Sequence, residues 1–175
     1  VLIVYAEKYI YYIYSNHMST YSESTSLNNV AAFHSLFDAP VLDAPQLPPA
    51  DRATLRVSLL QEELNELSQA FQDGDLVEVA DALGDLQYVL AGAIHECGLG
   101  QRFAEIFSEI HRSNMSKACT SQLEAEQTVE HYQSYKNEDA YIVQKDDLYL
   151  VHRKSDNKVL KSINYQPALL APYLD

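Results

Sequence analysis

Two apolar runs of helical period meet at Gln72-Asp73-Gly74-Asp75, and this junction constrains the chain more than any other feature. Before it, Leu60, Leu64, Leu67 and Phe71 recur at helical spacing; after it, Leu76, Val79, Leu83, Leu86, Leu90 and Ile94 do the same. The break predicts a C-terminal stop at Gly74 and a new N-cap at Asp75. So short a turn makes the two helices antiparallel neighbours. They are expected from about Asp51 to Gln72 and on to about Cys97, with these apolar residues as their buried stripes.

The charge pattern along these helices is unusual. From Val57 to Gln101 the chain has nine acidic side chains and no Lys or Arg over 45 positions. Solvated helices ordinarily intersperse Glu and Lys at four-residue spacing, because unlike pairs stabilise and like pairs destabilise. On helical wheels Glu63 and Glu66 sit beside the first stripe, with Glu62 sharing a face with Glu66. Glu78, Asp81 and Asp85 form a single line on the second helix, next to Ala82, Val89 and Gly92. Both lines can face one crevice. Two carboxylates about 5 Å apart repel by roughly 3 kcal/mol at an effective dielectric of about 20, so the cluster asks for an outside cation. All-oxygen ligands suit Mg²⁺, with Mn²⁺ also possible. The competing readings are a solvated Glu62-Glu63-x-x-Glu66 face and a capping pair between Asp75 and Glu78.

Composition narrows the partners. The formal charge of −13 over 175 residues argues against a nucleic-acid polymer or an anionic membrane. Of the 12 Lys and Arg, four precede residue 112 and eight lie from Arg112 onward, so an acidic body carries a more basic last third. Cys97 and Cys119 lack metal-ligand spacing and give no disulfide framework, and a reduced, cytoplasmic setting is expected. No run of about 18 apolar residues marks a membrane span.

Around the central pair, SLNNVAAFHSLFD predicts a short helix and the proline-rich DAPVLDAPQLPPAD an extended connector. A further helix is expected over about Gln101–Met115 through Phe103, Ile106, Phe107 and Ile110, and a more exposed one within TSQLEAEQTVEHYQSYKNE. From Ala140 the period changes to that of strands, with turn signals at KDD and SDN. The fold expected is dominated by α-helix: a bundle of four to five helices with a small C-terminal β-hairpin. Residues 1–17 read as a non-native or disordered leader ahead of Met18, and 18–175 as one domain, with a helical core over about 27–136 and hairpin and tail over about 140–175.

EELNE (Glu62–Glu66) followed by EVAD (Glu78–Asp81) resembles the signature of the all-α nucleoside triphosphate pyrophosphohydrolases, which include MazG-like proteins, dimeric dUTPases and phosphoribosyl-ATP pyrophosphohydrolases. DALGDLQYVLAGAIHECGL, EIHRSNMSK and SDNKVLKSINYQPALL extend the resemblance toward the phosphoribosyl-ATP pyrophosphohydrolase-like branch, though SIN stands where GPN is common. The resemblance implies Mg²⁺-dependent cleavage between the α and β phosphates of a nucleoside triphosphate, giving the monophosphate and pyrophosphate. It implies metal ligation by Glu63, Glu66, Glu78 and Asp81, with Asp85 as an outer-shell or additional ligand. Glu62 would orient or deprotonate the attacking water, or join a second metal, and with Glu63 makes up the catalytic pair. It also implies at least a homodimer.

Asn114 and Lys117 are candidates for substrate contact, and on the tail Lys158 and Lys161, with Asn164 and Tyr165, for closing over its phosphates. The competing readings are helix-dipole pairing for Arg112, Asn114 and Lys117 and a solvated hairpin edge for the tail lysines. His95, His111 and His131 read as structural or surface residues. Two other functions stay open: phosphoribosyl-ATP hydrolysis in histidine synthesis, and a helical dimerisation module that binds metal or nucleotide without turnover. The first is weakened because ALGDLQYVL stands where that enzyme is expected to carry a D-L-L-Y-H type of segment.

Overall fold

The computed structural model describes residues 21–22 and 24–175, and the expected leader at 1–17 lies outside them. The chain is α-helical with one small hairpin. Its helices are α1 (Ser26–Leu36), α2 (Ala50–Asp73), α3 (Leu76–Glu96), α4 (Phe103–Met115) and α5 (Gln122–His131). The strands are β1 (Ala140–Lys145) and β2 (Leu148–Arg153). The chain divides into two compact units, Ser22–Glu105 with Ala171–Asp175, and one whose body is Ile106–Leu170. Among the described residues no helix is long and apolar enough to cross a membrane.

In the first unit the junction forms as its residues dictate. Gly74 closes α2 at φ +69°, a left-handed conformation that glycine adopts without steric cost. The Asp75 carboxylate then caps α3, accepting from the amides of Val77 at 2.9 Å and Glu78 at 3.3 Å. The capping pair is only half made, because the Asp75 amide donates to Ala70 O at 3.1 Å. The carboxylate of Glu78 is not needed there. The connector 37–49 is not helical, and it lies along the far end of α3 through Leu42 N to His95 O and Gln46 N to Cys97 O, each 3.0 Å.

A buried ionic cluster ties α2 to α3. The Glu96 side chain is 1% exposed and accepts from two arginines of α2, Arg52 Nε at 3.0 Å and Arg56 Nε at 2.9 Å, with a further contact from each guanidinium. His34 of α1 completes it. Its Nδ1 lies 2.8 Å from Pro40 O, which only accepts, and its Nε2 lies 3.0 Å from Arg56, which only donates. The imidazole is therefore neutral and protonated at Nδ1. Burial holds its pKa below 6.5, assisted by the Arg56 cation. Gly92 makes room for the cluster, since a Cβ there would fall 2.5 Å from an Arg56 nitrogen. His95 donates from Nε2 to Leu27 O at 2.8 Å, a structural role as expected.

The expected stripes are only partly buried. Val79 and Ile94 are buried and Leu60, Leu67 and Leu86 half-buried. Leu64 and Phe71 on α2 remain 51% and 64% exposed, and Leu76, Leu83 and Leu90 on α3 remain 79%, 50% and 45% exposed. The packing face of α3 is instead shifted toward small residues, Ala82, Ala91 and Gly92, which admit a close approach. An apolar stripe thus marks burial, but not which partner supplies it.

In the second unit, α5 starts at Ser121, whose hydroxyl accepts from Glu124 N at 3.2 Å. Strands β1 and β2 pair antiparallel with Lys145 opposite Leu148, leaving Asp146-Asp147 as a two-residue turn with Asp146 at φ +54°. The core here is Cys119, Ala125, Ala140, Val151 and Leu160, joined by Val129, Tyr132, Ile142 and Tyr149. The carboxylate of Glu124 is buried in this unit. It accepts from Thr120 N and Oγ1, both at 2.9 Å, and from Ser162, so neutral donors hold it ionised and its pKa low despite desolvation.

Removing Glu96 leaves two arginine guanidiniums at a buried contact without their counter-charge. Glu96→Ala is expected to cost about 3 kcal/mol or more in unfolding free energy. Urea denaturation followed by circular dichroism measures it, and a loss well under about 1 kcal/mol would show that the cluster does not hold α2 on α3.

Candidate functional site

Antiparallel packing of α2 on α3 brings the acidic lines of the two helices within electrostatic reach. Glu63 is the centre of the arrangement. Its side-chain oxygen Oε2 is buried and has no hydrogen-bond partner. Desolvation raises the Glu63 pKa above its ordinary value, and four other carboxylates add to it: Glu66, Asp85, Glu62 and Asp81. Two of these share its helix and two come from α3. Glu62, Glu66, Asp81 and Asp85 are exposed, as is Glu78 in the first turn of α3. None of the six is in an ion pair among the described residues.

The ninth acidic residue of the basic-free stretch, Glu96, is neutralised by arginines just outside it. Among the described residues the rest of the cluster has no such partner. As the side chains stand, no three of the described His, Cys, Asp and Glu lie in a geometry that holds one ion. The donor set is nevertheless that of a hard divalent cation: carboxylate oxygens only, one of them buried and orphaned, on two facing helices. An unpaired buried carboxylate oxygen is costly unless a proton or a cation satisfies it, and the fit therefore holds in donor chemistry.

The basic candidates lie in the second unit and separate into different roles. The Asn114 side chain is used locally, donating to Ile110 O at 2.9 Å and accepting from Lys117 Nζ at 2.6 Å. Arg112 is committed to the tail: Glu109 accepts from it twice at 2.7 Å, and Gln166 Oε1 and Pro167 O each accept at 3.1 Å. With the amide of Leu169 as a further donor, these bonds lower the Glu109 pKa to about 2. Lys161 Nζ stands 4.2 Å from the centre of the Tyr165 ring, and the Tyr165 hydroxyl lies 3.0 Å from that of Ser113. Lys158 sits in the turn after β2, where its amide donates to Asp156 at 3.1 Å and its side chain is exposed. Ser113 and Glu109 carry no signal in the sequence, whereas Tyr165 stands among the tail candidates beside Lys161.

Residues 30–114 match the family model of phosphoribosyl-ATP pyrophosphohydrolase. That segment holds both acidic helices, and the family it matches lies within the all-α pyrophosphohydrolase superfamily that includes the MazG-like proteins. The chain is also similar to the uncharacterized protein L479 of Acanthamoeba polyphaga mimivirus, at 28% identity over 109 residues. That alignment takes in 57% of this chain and 43% of the relative, so the chain spans less than half of the viral protein's length.

A carboxyl whose folded pKa is raised stabilises the fold below its unfolded pKa and loses that contribution as pH rises through the folded value. Metal-free protein should therefore lose stability as pH rises through and above 4.5, the ordinary value for Glu63. Glu63→Gln should flatten that loss and raise the melting temperature of the metal-free chain at neutral pH. A lower melting temperature for Glu63→Gln would show that the ionised carboxylate is not under strain.

Proposed function

We propose that this chain is a Mg²⁺-dependent nucleoside triphosphate pyrophosphohydrolase, with Mn²⁺ as an alternative metal. The observation that carries the reading is the orphaned, buried oxygen of Glu63 among carboxylates from two helices, in a segment that matches a pyrophosphohydrolase family. Glu63, Glu66, Glu78, Asp81 and Asp85 would hold the metal. When bound, it neutralises phosphate charge and lowers the pKa of coordinated water. Glu62, exposed one residue before Glu63, orients the attacking water and takes its proton. The water oxygen bonds to the α-phosphorus as the bridge to the β-phosphorus breaks, giving nucleoside monophosphate and pyrophosphate. Positioning and electrostatics carry such a reaction, so no nucleophilic side chain is required.

The name of the matching family favours a second substrate, phosphoribosyl-ATP, for the same chemistry. Pyrophosphate release should therefore be measured with each NTP and dNTP and with phosphoribosyl-ATP, in Mg²⁺. Glu63→Gln and Asp81→Asn are expected to lower turnover at least about 100-fold. A wild-type chain inert on every one of these substrates favours the non-catalytic binding module.

The reading includes self-association through the uncovered apolar face. Val57, Leu64 and Phe71 on α2 recur at seven-residue spacing and are 67%, 51% and 64% exposed, matching the spacing of Leu76, Leu83 and Leu90 on α3. At 3.6 residues per turn, seven-residue spacing keeps each set on one face of its own helix. Together they expose on the order of 700 Å² per copy, close to the roughly 800 Å² per partner of a stable interface. A second copy of this helix pair supplies matching heptads and completes a four-helix bundle. Sedimentation should give a dimer for the wild type and a monomer for Leu64→Glu combined with Leu83→Glu. A wild-type monomer at high micromolar concentration overturns the assignment.

A further inference from the structure

We propose that His34 is an acid-sensitive latch: a proton on its Nε2 breaks the bond to Arg56 and frees the end of α1 and the connector 37–49 from the α2–α3 pair. The ring stands where these elements meet. Its Nδ1 donates to Pro40 O at 2.8 Å, and its Nε2 accepts from Arg56 at 3.0 Å. The same turn brings Ala39 N to His34 O at 2.8 Å. Beyond it the connector is held on α3 by Leu42 N to His95 O and Gln46 N to Cys97 O, each 3.0 Å. One imidazole thus joins the connector to α2, and it does so only in its neutral form.

A proton on Nε2 has no acceptor to reach. Arg56 offers only N–H groups, and a Cβ on Gly92 would lie 3.1 Å from Nε2, so the α3 backbone closes another side. The carboxylate of Glu96 acts on the ring, but its two oxygens already accept from Arg52 and Arg56. Protonation therefore sets an imidazolium against a guanidinium with no bond between them. His34 is 2% exposed, so water cannot supply the missing acceptor while α1 stays in place. His95, 6.0 Å away ring to ring, donates to Leu27 O, a bond that survives its own protonation. From Ser26 to Leu36, α1 carries no other titratable side chain.

Acid drives the opening in one direction. Burial lowers the His34 pKa below 6.5 in the closed form; the Pro40 bond and Glu96 oppose that, and Arg56 and His95 add to it. Released to water, the ring regains its ordinary value. The latch is therefore at full strength above 6.5 and weakens as pH falls toward the closed-form value. Glu96 stays ionised in this window. Burial raises its pKa, but the bonds from Arg52 and Arg56 outweigh that and hold it below 4.5.

The test is hydrogen exchange of the full chain between about pH 7 and about pH 5, with rates corrected for their intrinsic pH dependence. Protection of the Ala39, Leu42 and Gln46 amides should fall by up to about tenfold per pH unit below 6.5. The Asp75 and Val79 amides, at the turn end of the helix pair, should keep theirs. His34→Gln can donate to Pro40 and accept from Arg56 but takes no proton, so its protection should hold across the range. Titration of the His34 ring by NMR in the wild type should give a midpoint below 6.5. The latch is overturned if wild-type protection ignores acid, falls equally at Asp75 and Val79, or falls in His34→Gln as in wild type. A His34 midpoint at or above 6.5 overturns it as well, and that measurement needs no variant to fold. Neither metal nor substrate enters, so the outcome is independent of the proposed reaction.

Discussion

The contact between Glu96 and the two arginines of α2 sets the register on which the acidic site depends. In an antiparallel pair, advancing along one helix retreats along the other, so setting Arg52 beside Glu96 also sets Glu63 beside Asp85. Asp85 is among the carboxylates acting on Glu63. The register is locked at both ends of the hairpin: at one by the buried ions, at the other by the Gly74–Asp75 turn. Gly92 permits the first lock, because any side chain there would displace Arg56 from Glu96 and His34.

This division of labour explains the shortage of basic residues between Val57 and Gln101. Basic side chains on the same faces would pair with Glu63, Glu66, Asp81 or Asp85 and remove their charge. The two arginines that the fold does need are placed ahead of that stretch, at the end of the hairpin away from the turn, where they are consumed by Glu96. A buried ion pair contributes little net stability over an apolar substitute, but it defines partners more sharply. That is consistent with a role in register.

Much of this was legible in the sequence. The helix pair, its Gly74 stop and Asp75 cap, the strand-period hairpin and the convergence of the acidic lines follow from local chemistry and periodicity, and the helical fold agrees with them. Less legible were contacts over long sequence separation. Glu96 looked like one more acidic residue until its partners at positions 52 and 56 came into contact. Leu64, Phe71, Leu76, Leu83 and Leu90 read as core because periodicity reports that a face is apolar, not what covers it. The tail hid its geometry in the same way. The hydroxyl of Tyr165 meets that of Ser113, 52 residues earlier, only in the folded chain.

The charge economy of the two units differs in kind. In the second unit buried carboxylates are satisfied from within: Glu124 by Thr120 and Ser162, Glu109 by Arg112 and Leu169. In the first, Glu96 follows that rule and Glu63 breaks it. Proteins satisfy buried polar groups almost without exception, so an unsatisfied oxygen among like charges is a stability cost retained at a particular place. Protonation could relieve Glu63 alone, but it would leave the four carboxylates around it without a counter-charge. A divalent cation would relieve all five at once. The arrangement is thus least favourable for the chain without a counter-ion, and the cost at Glu63 is what the proposed metal site would draw on.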